Sequence, residues 1–428
     1  MLKETLRRAF VLERAGGGGP APGIHSFTGE ADGRAVRYHL RVDGDGAGFL
    51  LADATRVLTL SPVGVAAAAG LLAGTTTDAL TASLHRRFKG VTKARLAADV
   101  AAVGAAIRGL SLPGGDGPVA NLDDASATAR TRALSAPLCA DLRLCTIETG
   151  EAVLARLWDA GVPQVVVVVP PGADTGSLVR LVEHAGDLGM ITGVRARATD
   201  LRGDGLLDAL VAAGVDHFDL GFAGDPALHD ALFGEGDHLV ASGAFEAAQN
   251  DEIFATAVVP LIEDTVHALD EVLEMASGMG AGAAVAHAVV QADGAERALA
   301  PGALRQAAAT CEAFADTIGL NVVFATPTVI DNGTDLEAAV RAGPRASGEA
   351  TMAIDAEGRV LPPRGGAEPV GDLVRAPLAS IWSAPCFTGW REPAEPPERC
   401  DACPGLATCD AGCPSDPSSW ARHTGGPK

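Results

Sequence analysis

An α/β fold whose core is a partial, TIM-like barrel is predicted by three observations. Residues 164–169, QVVVVV, form an unbroken and largely β-branched apolar run, the kind a strand needs when both of its faces are covered. Comparable runs recur downstream, each followed by a stretch of helical periodicity, and such alternation builds parallel sheets with crossover helices. About 200 residues of these units suit a barrel. The text differs on either side. Short strands and three helices precede the core, predicting a winged-helix-like unit, and turn-rich text with clustered cysteines follows it, predicting a small cysteine-rich unit.

At 428 residues the chain has room for two or three domains. Its formal charge of −21 repels phosphate backbones and anionic bilayers, so neither nucleic acid nor membrane is expected as a partner. The opening Met-Leu-Lys-Glu-Thr-Leu-Arg-Arg-Ala-Phe lacks the apolar run of a signal peptide, and no stretch of 18 apolar residues occurs. A cytoplasmic protein with reduced thiols is expected.

In chain order, residues 1–34 contain four glycines from Gly16 to Gly19 and are expected as a flexible leader. Residues 35–42 alternate apolar and polar, Asp43-Gly-Asp-Gly46 supplies a turn, and residues 48–52 and 56–60 complete a three-stranded sheet. Ser61-Pro62 opens a helix over 62–72, with proline at the first helical position. A second helix is expected over 77–88, with Thr77 as its cap. Thr92 caps a third, in which Leu96, Val100, Val103, Ile107 and Leu110 step by four and three along one stripe. The first domain is therefore 35–110, and the Gly- and Pro-rich residues 111–130 are a linker.

The barrel is expected over 131–345, with strands at 164–169, 193–198, 217–221, 254–260, 283–290 and 321–325. Helices are expected between them at 174–189, 205–213, 238–249, 264–279 and 301–318. A third domain, 346–414, opens with a hairpin over 352–360 and a brief helix at 378–382, and residues 415–428 are a tail.

Eight cysteines are present. Cys139, Cys145, Cys311 and Cys386 are dispersed, whereas Cys400, Cys403, Cys409 and Cys413 follow one another with two, five and three residues between. Pro404, Gly405, Gly412 and Pro414 let that loop fold back, so four thiolates can converge on one centre. Four thiolates suit either one [4Fe–4S] cluster or zinc, and the spacing leaves both open.

Met352-Ala-Ile-Asp-Ala-Glu-Gly-Arg-Val, Val370-Gly-Asp-Leu, Pro377-Leu-Ala-Ser-Ile-Trp-Ser and the four-cysteine run together resemble the SPASM domain of radical S-adenosylmethionine peptide maturases. The preceding units resemble that family's partial barrel, and His229-Asp230-Ala-Leu-Phe-Gly234 is similar to its His-Asp-x-x-x-Gly segment. Residues 35–110, with the Leu60-Ser-Pro-Val-Gly turn, resemble the PqqD-like element that recognises precursor peptides. The similarity spans residues 35–414.

The family's Cys-x3-Cys-x2-Cys loop, whose three thiolates leave one iron open for S-adenosylmethionine, is not matched. Setting Asp141-Leu-Arg143 on the family's Asn-Leu-Arg puts Ala140, Leu144 and Ile147 at the ligand positions, with Cys139 and Cys145 beside them. The Gly-Gly-Glu-Pro that meets the cofactor is replaced by Pro170-Pro-Gly-Ala-Asp174, and Thr-Asn-Gly by Ala198-Thr-Asp200. No cysteine follows Cys413, and the upstream ligand position within residues 360–364 is proline, so two auxiliary clusters are not expected. Cys386 is a distant substitute ligand.

The resemblance and its departures imply a pseudoenzyme or scaffold with no catalytic residues, one that binds a precursor leader peptide but does not bind S-adenosylmethionine in the family's manner. Such elements take up a peptide as an added strand on an open sheet edge. Arg56, Val57, Leu58 and Thr59 would supply that edge, with the third helix opposite and the cations Lys93 and Arg95 near its start for an acidic leader. Lys93 and Arg95 are equally read as solvated helix-surface charges. An intact radical maturase or another modifying enzyme would supply the chemistry. Two alternatives remain: an active radical enzyme whose cluster is held by other ligands or supplied by a partner, and a zinc-containing winged-helix regulator. The second is disfavoured by the acidic charge.

Overall fold

The computed structural model describes residues 20–31, 34–52, 56–110, 134–203, 205–250, 253–291, 307, 309–311, 313–314, 320–330, 336–344, 346, 348, 350–363 and 368–391. The expected linker and tail and all four clustered cysteines, Cys400, Cys403, Cys409 and Cys413, lie outside the described residues. The chain divides into two compact units, Met1–Gly115 and Asp116–Lys428.

The first unit contains a 4-stranded antiparallel sheet of β1 (Gly23–Ala31), β2 (Arg34–Val42), β3 (Gly48–Ala52) and β4 (Arg56–Leu60), in that spatial order. Val36, Tyr38, Leu40 and Val42 alternate onto one face of β2 and pack with Val65 of α1 (Pro62–Leu72) and Ile107 of α3 (Lys93–Leu110). Between those helices α2 (Thr77–Arg87) adds a second cluster, in which Leu80 and Leu84 meet Leu96 and Val100. Each such side chain contributes about 1.5–3 kcal/mol on burial. The Ser61 hydroxyl accepts from the Gly64 N–H at 3.2 Å and caps α1. Thr92 does the same for α3 through the Arg95 N–H at 3.2 Å. Thr76 rather than Thr77 occupies the cap position of α2, and its side chain makes no capping bond.

The expected leader over 1–34 and the three-stranded sheet are corrected by β1, which pairs with β2 along its whole length, from Gly23 opposite Val42 to Ala31 opposite Arg34. An edge strand satisfies only one row of backbone groups and buries little, so its sequence need not alternate. In β1 the larger apolar residues Ile24 and Phe27 are three apart, and the rest is small or polar.

The second unit is built on a 10-stranded sheet that runs open from β11 (Asn321–Ile330) through β10 (Ala283–Gln291), β9 (Phe254–Leu261), β8 (His217–Gly221), β7 (Ile191–Ala196), β6 (Gln164–Val168) and β5 (Cys139–Arg143) to β12 (Thr351–Ile354), β13 (Arg359–Leu361) and β14 (Gly371–Asp372). From β11 to β12 all neighbours are parallel. The last two pairings are antiparallel. Connecting helices are α4 (Ile147–Asp159), α5 (Thr175–Leu188), α6 (Leu206–Ala212), α7 (Pro226–Phe233), α8 (Asp237–Asn250), α9 (Glu263–Val266), α10 (Leu269–Gly278) and α11 (Leu336–Ala342). α12 (Leu378–Trp382) and α13 (Pro385–Arg391) follow the hairpin. The α/β class with a large, mostly parallel sheet is as the strand runs predict.

Three details differ. Cys139–Arg143 is a strand bonded on both sides, although the resemblance makes it part of a loop. The expected helix over 264–279 is broken into α9 and α10. The hairpin expected to open a separate third domain instead continues the barrel sheet, because β12 pairs with β5, Thr351 opposite Cys139. The Trp382 indole fixes the helix after it by donating to the Leu134 carbonyl at 2.8 Å.

Candidate functional site

Alternate residues of the parallel strands point to opposite faces. One face is apolar, with Ala140, Leu142, Val165, Val194, Phe218 and Ala257 all buried, and suits the amphipathic helices that pack on it. The other face, here the inner face, carries Cys139 and Asp141 from β5, Gln164 from β6, Arg195 from β7, His217 and Asp219 from β8, Thr256 from β9 and His287 from β10. Register places Arg195 opposite Asp219 and Asp219 opposite Thr256.

Arg195 joins the group. Its Nη1 donates to Asp141 at 2.6 Å and its Nη2 to Asp219 at 3.4 Å. The second oxygen of Asp219 faces His217 Nδ1 at 3.1 Å, and His217 Nε2 meets the Gln164 amide at 3.1 Å. A carboxylate only accepts, so Nδ1 carries the proton and Gln164 donates to Nε2. Burial alone would raise the Asp219 carboxyl, but His217 and then Arg195 outweigh it and hold the group below its ordinary range. Burial opposes the Arg195 charge too, and Asp141 and Asp219 more than offset this, so its pKa is raised. The Cys139 thiol is pushed well up by burial and then by Asp141. Burial and then the Arg195 charge push His287 down to about 3, so the ring is neutral.

Beyond the strand ends, a second network forms around the His229-Asp230-x-x-x-Gly234 segment. His229 Nδ1 accepts from the Ala223 N–H at 3.3 Å, which leaves Nε2 to donate to Asp237 at 2.9 Å. Asp237 also accepts from the N–H and hydroxyl of Thr199 at 2.8 and 2.6 Å. Asp230 binds the N–H groups of Gly236 and His238 at the start of α8, at 2.8 and 2.9 Å. Those N–H bonds hold its carboxyl below the ordinary range. Gly234 takes a φ of +117°, which a side chain would strain. These residues tie α7 and α8 to the sheet.

The segments that the resemblance assigns to cofactor are occupied internally. The Asp174 carboxylate caps α5 through the N–H groups of Gly176 and Ser177 at 3.2 and 3.1 Å, with the Ser177 hydroxyl at 2.6 Å. Thr199 is bound to Asp237, and Asp200 is gripped by Arg197 through two bonds of 2.7 Å. Ala140 and Leu144 are buried hydrocarbon. Cys139 belongs to the inner face, whereas Cys145 Sγ lies toward Gly150 of α4, close to Leu181 of α5. Burial pushes its thiol up to about 11. The two thiols thus sit in different layers, and the residues present do not fit a cluster held by three thiolates at this loop. Among the described residues no group of three or more His, Cys, Asp or Glu side chains is placed to hold a metal ion.

In the first unit, β4 is an edge strand, with β3 on one side and no described strand on the other. Val57 and Leu58 are half-buried and Thr59 is exposed. Lys93 and Arg95 are not brought to it. The α3 residues that share a cluster with Leu58 are Val103, Ile107 and Leu110, whereas Lys93 lies 14 positions before Ile107, about 20 Å away along the helix. Arg95 pairs instead with Asp99 on its own helix, at 3.0 Å.

Arg195, Asp219, His217, Gln164 and His287 were not singled out by the sequence reading. The usable signal was the spacing of polar residues two apart in otherwise apolar strands, as in His217-Phe-Asp-Leu.

Fold and site together define an α/β protein with an open, mostly parallel sheet whose inner face carries a buried polar cluster. No protein-family model matches the chain, and no curated protein matches its sequence. Among solved structures it is similar to SuiB of Streptococcus suis bound to S-adenosylmethionine, with a TM-score of 0.54 and 15% identity over 87% of this chain and 93% of that one. SuiB bound to its precursor peptide SuiA gives 0.53 and 14% over the same shares, 87% and 93%. At such identity the likeness shows a shared fold. No helix among the described residues is long and apolar enough to cross a membrane.

Proposed function

We propose that this chain binds a precursor peptide of ribosomal peptide maturation through its first unit, and that its barrel-like sheet acts as a scaffold rather than as a radical S-adenosylmethionine catalyst. The observation that carries the second part is the hydrocarbon at Ala140 and Leu144, with Cys139 and Cys145 in different layers. Peptide binding is supported by the edge of β4, which no described strand covers, and by the fold shared with SuiB, a protein solved with its precursor peptide. Cys400, Cys403, Cys409 and Cys413 would form one structural or auxiliary site, a [4Fe–4S] cluster or zinc, whose binding energy stabilises the C-terminal region. A cytoplasmic setting, with reduced thiols, suits that site. The chemistry would come from an intact maturase or another modifying enzyme. SuiB has also been solved with S-adenosylmethionine, which favours a second reading: an active enzyme whose cluster is held by other ligands or supplied by a partner.

Peptide binding is tested with proline substitutions in β4 and synthetic leader peptides from short reading frames beside the gene. Neighbouring residues of an edge strand aim their N–H groups alternately inward and outward. Of Val57→Pro and Leu58→Pro, one therefore removes a bond to β3 and lowers stability, and the other spares the fold but abolishes peptide binding. Binding that survives in both folded variants contradicts strand addition here.

A further inference from the structure

β11 ends the parallel array on one side, and β12 pairs with β5 at the other. α11 packs Leu336 and Val340 against Leu232 and Phe233 of α7 and against Ile262 and Val289 at the ends of β9 and β10. Phe233 in turn lies against Gly221, an inner-face position of β8 that leaves no space for a Cβ. Just after α11, Gly343 turns with a φ of +72°. A Cβ there would stand 2.8 Å from Arg195 Cδ and 3.8 Å from Val258 Cγ1, both on the inner face. The segment is fastened by Arg341, whose Nε donates to the Leu232 carbonyl at 2.9 Å, and Arg197 Nη1 holds the next carbonyl, Phe233, at 3.1 Å.

What lies on the covered face is polar and incompletely bonded. Arg195 Nε and Thr256 Oγ1 are buried without a hydrogen-bond partner among the described residues, and the neutral His287 ring is buried beside them on the same face. Buried polar groups are ordinarily satisfied, and leaving one unmade is costly. A closed cover over unpaired donors is therefore poised to open to a molecule that pairs with them.

We propose that residues 336–344 are a strap closing the C-terminal mouth of the sheet over an Arg195-centred polar site, and that this strap lifts to admit a ligand rich in hydrogen-bond acceptors. Arg195 has one N–H each of Nη1 and Nη2 committed to Asp141 and Asp219 and its Nε–H without a partner among the described residues, while Thr256 and the neutral His287 can donate or accept. Carbonyl and carboxylate groups of a peptide are the simplest ligands with that chemistry. The inference does not depend on whether the chain is catalytic.

The test places a thiol on the inner face next to Asp219, with Thr256→Cys in the full chain, and follows its alkylation by iodoacetamide peptide by peptide. Native Cys311, which is also buried, reports global unfolding. Cys at 256 should react slowly in the parent. Arg341→Ala, or Gly343→Ala as a second variant, should speed it about tenfold, a loss of about 1.4 kcal/mol of closing energy, and leave Cys311 unchanged. Rapid reaction at 256 in the parent, no acceleration in either variant, or equal acceleration at Cys311 would each overturn the proposal.

Discussion

Gly193 lies directly against the imidazole of His217. A Cβ on this β7 residue would overlap the ring, so the strand leaves a gap that the neighbouring histidine fills. The ring is held there by Asp219 on one nitrogen and Gln164 on the other. Gly193→Ala should therefore destabilise the protein by about 1–3 kcal/mol, the usual cost of overpacking. Adding His217→Ala should recover part of that loss, and denaturant unfolding of the double-mutant cycle measures it. Additive effects would show that the two residues do not interact.

Arg195 is the cationic partner of two inner-face carboxylates, Asp141 and Asp219. Removing one side of a buried pair strands the other charge, so Arg195→Met should cost about 3–5 kcal/mol in urea unfolding. Arg195→Met with Asp219→Asn should be more stable than Arg195→Met alone. An unchanged midpoint in the single variant would show that the carboxylates are held by other means.

Acid should weaken the fold through His287. Its pKa is lowered from 6.5 to about 3, so between those values the unfolded chain binds a proton that the folded chain does not. Its contribution is complete above pH 6.5 and is lost as pH falls toward 3. At pH 5 the loss is about 2 kcal/mol relative to neutral pH. His287→Leu should remove that part of the slope, read as the stability difference between parent and variant from pH 7 to 4. A difference independent of pH would mean that His287 titrates normally.

The parts of the fold that bury one continuous apolar surface were legible in the sequence. The run at 164–169 lies at β6, and the stripe of Leu96, Val100 and Ile107 is buried in α3. What escaped notice lies where burial leaves no periodic mark. β1 is an exposed edge, and β5 alternates hydrocarbon with Asp141 and Arg143, so its charges read as loop until its pairing with β6 and β12 is known. The inner-face cluster is assembled from residues up to 148 positions apart, Cys139 to His287, and only register brings them together. Lys93 and Arg95 show the converse, since their charge suggested a site while Arg95 pairs with Asp99 on its own helix.

The most direct test of the scaffold reading is 5′-deoxyadenosine formation from S-adenosylmethionine by anaerobically reconstituted, reduced full-length protein, with bound iron counted in the same sample. The account predicts no deoxyadenosine and about four irons per chain, or zinc in their place, lost on Cys400→Ser with Cys403→Ser. Deoxyadenosine formed with iron enough for two clusters, and persisting in that double variant, would contradict it.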